Sequence, residues 1–451
     1  MQVRFRSGTS CDNRHMSIRH LPGRRTAAPF LSQVLGTLLV LSGPVLAQNL
    51  SLQQTLDAAS ANWEVALSKR NLQAAQADVV AANRAPLPVL SAKTSQIDLQ
   101  HGIGGGGIWQ DKRIDKSIGL DWTWERGDKR LLRTQGSESM VAASQRDLQD
   151  TLTQQHLYAL ALYFDWMTQQ ERLRAIQSIA DSAAQLARSA ALREKAGDLS
   201  AQDAARIQIE AHRASADVRS AQLALETAAL ALAQVTRLPG NPLAWRATGS
   251  WPALLNTDTV DPTSQLETWI DRRPSVMAAQ ARVSAAQASL SLAQAQKKSD
   301  ITWGGSADHF PGTSNRLLEL RMQMPLQWGY GYEGEIARAE ALYQQAQEAL
   351  EKTRLGARTE LLTLLQAWRS ATARAQGYDK DILPQAIRVA AQAELAYNKG
   401  ALSLTDLLDA RRTLKATQLE ALDARNEHAR AWGALLLLTR PVSETVLVLS
   451  Q

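Results

Sequence analysis

The chain is almost without cysteine. Its single one, Cys11, lies near the start, so the rest of the 451 residues offers no disulfide, thiol nucleophile or thiolate metal ligand. Histidine is sparse too: seven in all, with His101 and His309 near turns and His156, His212 and His428 standing singly on helices. No pair sits at a metal-ligand spacing beside a carboxylate, so neither a metal site nor another cofactor is expected. The glycine run at 104–107 lacks the Lys-Ser/Thr that completes a phosphate loop. With no catalytic constellation the chain is not expected to be an enzyme. Beyond residue 47 no segment approaches the uninterrupted apolar length of a transmembrane helix.

An excess of positive charge is missing as well, once its location is considered. The formal net charge is +6, but residues 1–47 hold six arginines against the single acid Asp12. Without them 44 basic and 43 acidic residues remain, and a nucleic-acid partner loses its electrostatic support. The same 47 residues read as a secretory signal: an arginine-rich stretch, an apolar run from Leu31 to Leu41, then Val45-Leu46-Ala47 before the cleavage point. Met16 is an alternative start, and an uncleaved anchor is the competing reading of the apolar run.

What the chain does have, it has twice. Gly197-Asp198-Leu199-Ser200 opens an alanine-rich helix, and Gly400-Ala401-Leu402-Ser403 opens another 203 residues later. Behind the first, Ile207, Ala211, Ala214, Val218, Ala221, Leu225, Ala228, Leu232 and Val235 alternate spacings of 4 and 3, a coiled-coil seam. The second seam, from Ala410 to Leu438, repeats it with only Thr417 and His428 off pattern. This spacing predicts two repeats, 48–245 and 263–440, joined by a linker at 246–262 and followed by a tail at 441–451. Within each, a helix (about 50–84 and 263–298) leads into a β-hairpin (about 89–125 and 300–328). A very long helix then runs to a tip turn (197–200 and 400–403) and a return helix. The long helices carry no internal proline except Pro384.

The hairpins alternate apolar and polar residues. Leu120, Trp122 and Trp124 interleave with Asp121 and Thr123; Leu320, Met322, Met324, Leu326 and Trp328 interleave with Arg321, Gln323 and Gln327. One greasy and one wet face, at a length near that of a tilted membrane strand, predicts strands whose even-numbered side chains meet lipid. Trp303 and Trp109 would add interfacial aromatics. Four strands are too few for a membrane barrel, which starts at about eight, so several chains must contribute. A soluble hairpin with a tryptophan core, and an ordinary intramolecular coiled coil for the helices, remain open from periodicity alone. The expected class is mainly α with a small β part.

These residues resemble the TolC-type outer membrane efflux proteins. The resemblance rests on Leu50-Ser51-Leu52-Gln53-Gln54-Thr55-Leu56, Trp124-Glu125-Arg126-Gly127-Asp128-Lys129-Arg130, Gly334-Glu335-Ile336-Ala337-Arg338-Ala339-Glu340 and Tyr397-Asn398-Lys399-Gly400, followed by Ser403-Leu404-Thr405-Asp406-Leu407-Leu408. It implies a homotrimer with a twelve-stranded barrel in the cell outer membrane and an α-helical tunnel through the periplasm. It also implies a periplasmic adaptor and an inner-membrane pump as partners. Residues 126–130 resemble the heavy-metal branch. Trp63 departs from the proline of many members, and the lipid-bearing cysteine of some is absent. By the resemblance Glu394 aligns with a gate carboxylate, with Glu194 as second choice. Gly197, Leu199, Ser200, Gly400, Leu402 and Ser403 form the tips expected to dock the adaptor. The expected function is the exit duct of a tripartite efflux system for metal cations or drugs; the alternatives are a type I polypeptide-secretion duct and a periplasmic scaffold without a pore.

Overall fold

The computed structural model describes residues 49–451 except 98–99, 101–104, 106–113, 255–264, 312–313, 441 and 450–451. The signal segment, Trp109 and most of the 101–107 turn lie outside the described residues, as does much of the linker.

Each repeat begins with two helices where one was expected. In the first, α1 (Leu52–Ala59) and α2 (Trp63–Ala82) are separated by a short break; in the second, α5 (Leu266–Asp271) and α6 (Pro274–Ala295) are. The breaks have different chemistry. Pro274 cannot sit inside a helix but suits the first helical position, so it starts α6. At the matching place Asn62 accepts from the Val65 N–H at 3.2 Å and restarts the chain as α2. Trp63, in the proline's position, lies under the Arg237 guanidinium, 4.0 Å from its ring centre.

After these helices come β2 (Val89–Ser95) and β3 (Asp115–Trp124), then β5 (Ile301–Phe310) and β6 (Ser314–Gln323). They form one antiparallel sheet in the order β2-β3-β5-β6, with Trp122 opposite Trp303 and Leu120 opposite Gly305. β6 begins and ends earlier than its alternation predicted. Its last paired residue, Gln323, faces Thr302, where β5 runs out, and Pro325 has no N–H to extend the ladder. Met324, Leu326 and Trp328 therefore lie beyond the strand. An unforeseen parallel pair, β1 (Asn49–Leu50) with β4 (Arg246–Ala247), ties the start of the first repeat to the linker. Tyr163 secures it by donating to Thr248 O at 2.9 Å.

The long helix α3 (Lys129–Lys195) is continuous for 67 residues, a rod of ~100 Å. Its counterpart is not continuous: α7 (Glu333–Gly377) passes through a π turn (Tyr378–Ile382) into α8 (Leu383–Asn398). Both arms end alike. Gly197 and Gly400 take φ of +82° and +74°, and Asp198 and Ala401 donate back to Arg193 O at 2.8 Å and Ala396 O at 2.9 Å. This is the Schellman stop, which a side chain at the glycine would strain. Ser200 and Ser403 then cap the return helices α4 (Ala201–Thr236) and α9 (Leu404–Thr439). The tail forms α10 (Val442–Leu449).

The seam residues of α4 and α9 are buried or half-buried throughout. The largest core gathers Tyr163, Phe164 and Trp166 of α3 with Trp368 of α7 and Trp432 of α9. Trp368 and Trp432 stack at 4.8 Å. The off-pattern His428 has a reason here. Thr372 donates its hydroxyl hydrogen to Trp368 O at 2.7 Å, so its oxygen accepts from His428 Nδ1–H at 3.0 Å. The tautomer is set by that chain.

Candidate functional site

Three regions gather the candidate residues. The first is the sheet. On its even-numbered face Leu120, Trp122, Trp124, Leu320 and Met322 are exposed, together with Trp303 from β5. Together they make a continuous apolar surface far beyond scattered exposed side chains. The opposite face is polar and carries its own cross-strand bonds. Asp121 accepts from Arg321 at 2.5 Å, and Thr123 meets Thr302 at 2.9 Å. The Asp121–Arg321 pair crosses Gly304, where a Cβ would come within 2.1 Å of the carboxylate; only glycine leaves it room. At the base of the sheet the buried Lys129 holds Asp300 at 2.8 Å, fixing the sheet to α3. Met324 and Trp328 are exposed but belong to the segment after β6.

The second region is the pair of tips. The structure brings them together: Ala190 and Ile207 of the first repeat pack with Leu404 of the second, and Leu199 and Tyr397 close the cluster. Arg193 lies over the Tyr397 ring, 5.8 Å from its centre. Leu402 is half-buried. Ser200 accepts from Asp203 N at 3.1 Å and Ser403 from Asp406 N at 3.2 Å, matching caps on matching helices.

The third region lies a few turns behind the tips. Glu394 accepts from Arg411 of α9 at 2.9 Å and remains more than half exposed. Both line a cleft of about 510 Å³ between the α3–α4 and α8–α9 pairs. Two further ion pairs cross this cleft, Glu210 with Arg412 and Asp217 with Lys415. Sequence reasoning missed these bases. The signal was present: acids seven residues apart flank the α4 seam, and Arg411, Arg412 and Lys415 flank that of α9. Glu194 is exposed and makes no ion pair among the described residues. Among the described residues no cluster of His, Cys, Asp and Glu could hold a metal ion, and no helix is long and apolar enough to cross a membrane.

Residues 266–439, from α5 to the end of α9, match the family described as outer membrane efflux protein. The match covers the second repeat, less than half of the chain. The chain is 24% identical over 300 residues to the cobalt-zinc-cadmium resistance protein CzcC of Cupriavidus metallidurans, covering 66% of this chain and 70% of that one. Among solved structures its fold is shared by CusC, at TM-score 0.72 and 16% identity, covering 86% of this chain and 92% of that chain. It is shared too by the CmeC outer membrane channel of Campylobacter jejuni, at TM-score 0.70 and 14% identity, covering 89% of each. The family match covers only the second repeat; the first shares the fold of these solved structures. Its helix pair, strand pair, long helix, tip and return helix follow in the same order.

Proposed function

We propose that this protein is the outer-membrane exit duct of a tripartite system, conducting metal cations passively from an inner-membrane pump to the exterior. The observation that carries the reading is the four-stranded sheet: exposed and apolar on one face, polar on the other, with β2 and β6 each paired on one side only among the described residues. Open edges in lipid would leave backbone groups unsatisfied, so the sheet must close. Three copies joined β6 to β2 supply twelve strands, within the range of membrane barrels. Beneath them the long helices of three chains would form the periplasmic tunnel, with the tips at Leu199 and Leu402 meeting the adaptor. The metal substrate rests on the similarity to CzcC, and threefold repetition of Glu394 near the tunnel's end would favour cations.

The test is reconstitution. Purified protein should run as a trimer by mass measurement and give discrete conductance steps in planar bilayers. Glu394→Ala should raise conductance and weaken block by divalent cations. A monomer without conductance would sink the duct; wild-type behaviour of Glu394→Ala would move the gate elsewhere.

A further inference from the structure

The lipid-side stripe of β3 does not end in an apolar residue. On β3 the even-numbered face runs Leu120, Trp122, Trp124 and then reaches Arg126, one step past the strand. On the β6 side it runs Leu320, Met322, Met324, Leu326 and Trp328, the last two 64% and 88% exposed. The two ends meet. Arg126 Nη1 lies 3.9 Å from the Met324 sulfur, and the stem of Lys298 lies against Gly127. The backbone here is pinned rather than loose. Ser299 donates to Pro325 O at 2.7 Å, Gln327 donates to Gln296 O at 3.0 Å, and Arg126 N donates to Asp300 at 3.0 Å.

The acids at this level are mostly spoken for. Asp300 is held by Lys129 at 2.8 Å, and Glu125 by Arg133 at 2.9 Å; Asp128 is the exposed exception. Arg126 and Lys298 are exposed and have no carboxylate partner among the described residues. Exposed tryptophan and leucine beside two unneutralised cations, at the edge of an apolar band, is the pattern of a membrane interface. Arginine fits a phosphate with two parallel N–H donors, and lysine adds a point charge.

We propose that Arg126 and Lys298 clamp the headgroup phosphate of an anionic phospholipid in the periplasmic leaflet, while Trp124, Met324, Leu326 and Trp328 cover its glycerol and upper acyl region. This rests on the reading of the sheet as part of a membrane barrel. The lipid then fixes the depth of the barrel, because the clamp is braced through Asp300 and Lys129 to α3.

The experiment places the full chain in nanodiscs of phosphatidylcholine alone or with phosphatidylglycerol. Phosphatidylglycerol should raise the melting temperature of the wild type; Arg126→Gln/Lys298→Gln should lose that rise, and Arg126→Lys should keep most of it. A double variant that keeps the full rise overturns the clamp. So does an equal rise from inorganic phosphate added to phosphatidylcholine discs, which would mean a free-anion site. Quenching of tryptophan emission by lipids brominated along their chains separates the two levels. Strong quenching without lipid dependence defeats the clamp alone, whereas absence of quenching in the wild type defeats the barrel reading itself.

Discussion

The two repeats carry the same parts in the same order, yet one long arm is unbroken and the other is not. α3 runs 67 residues without interruption, while α7 stops after 45 and resumes as α8 beyond a five-residue π turn. The cause is one residue. Pro384 lacks an N–H, and its ring would strike the carbonyl of Lys380 in a regular helix; the wider π turn relieves both. The break is then splinted by the continuous α9. Arg425 holds Asp379 at 2.8 Å, Tyr378 donates to Glu420 at 3.1 Å, and Arg374 holds Glu427 at 2.8 Å. Duplicated architecture thus tolerates a local defect where a neighbouring helix supplies its compensating contacts.

That difference can be broken by moving the proline. Asp181 stands 203 residues before Pro384, inside the tip-side end of α3, where no π turn exists to receive it. Asp181→Pro should cost about 3 kcal/mol or more, read as a fall in thermal midpoint by circular dichroism. If it cost no more than about 0.5 kcal/mol, an ordinary surface change, α3 would be as adaptable as its counterpart and the contrast would fail.

The strands should treat the repeats as equals. Leu120→Arg and Leu320→Arg, on the apolar face of each hairpin, should each cost about 2–4 kcal/mol in urea unfolding from lipid. Gln323→Arg, on the polar face, should stay within about 0.5 kcal/mol. Asp121→Arg would not be a neutral control, since it would set a second arginine against Arg321. Equal tolerance on both faces would mean that no lipid meets this sheet.

The tips offer a finer comparison. Ser200→Ala and Ser403→Ala remove matching caps and should each cost about 1 kcal/mol, with faster amide exchange in the first turn of α4 or α9. A markedly smaller loss at one tip would show that its helix start is held by side-chain packing, and Leu199 in the cluster with Leu404 makes the first tip the candidate.

Much of this was legible because it is periodic. The seams, the tip glycines with their serines, and the alternation of β3 all follow from local spacing. What stayed hidden depended on partners distant in sequence. The break at Ser60-Ala61-Asn62 carried one local signal, the cap that Asn62 gives Val65 N–H, but its other tie, to Gln155 of α3, is distant. β6 could not be bounded without knowing where β5 stops pairing. Glu394 read as a lone acid, since the base that holds it lies on the next helix, 17 residues on. The π turn needed Pro384 to be weighed against α9, and no periodicity reports such a splint.

The smallest expected effect compares two buried histidines, one in each repeat, and is absent at neutral pH. Burial is the leading cause that pushes His156 and His428 below the ordinary histidine value of 6.5. The unfolded chain takes up these protons first, so the folded state is unaffected well above pH 6.5 and loses stability as pH falls through it. The two sites differ in what opposes burial. His156, bonded to Ser60 at 2.8 Å, feels Asp57, whose charge favours the protonated ring. At His428, bonded to Thr372, only a backbone contact opposes burial. His428→Gln should therefore flatten the fall of melting temperature between about pH 7 and pH 5 more than His156→Gln does. The reverse order would show that the charge near the first histidine does not relieve it, and a wild-type melting temperature flat across that range would show that neither ring is held neutral by the fold.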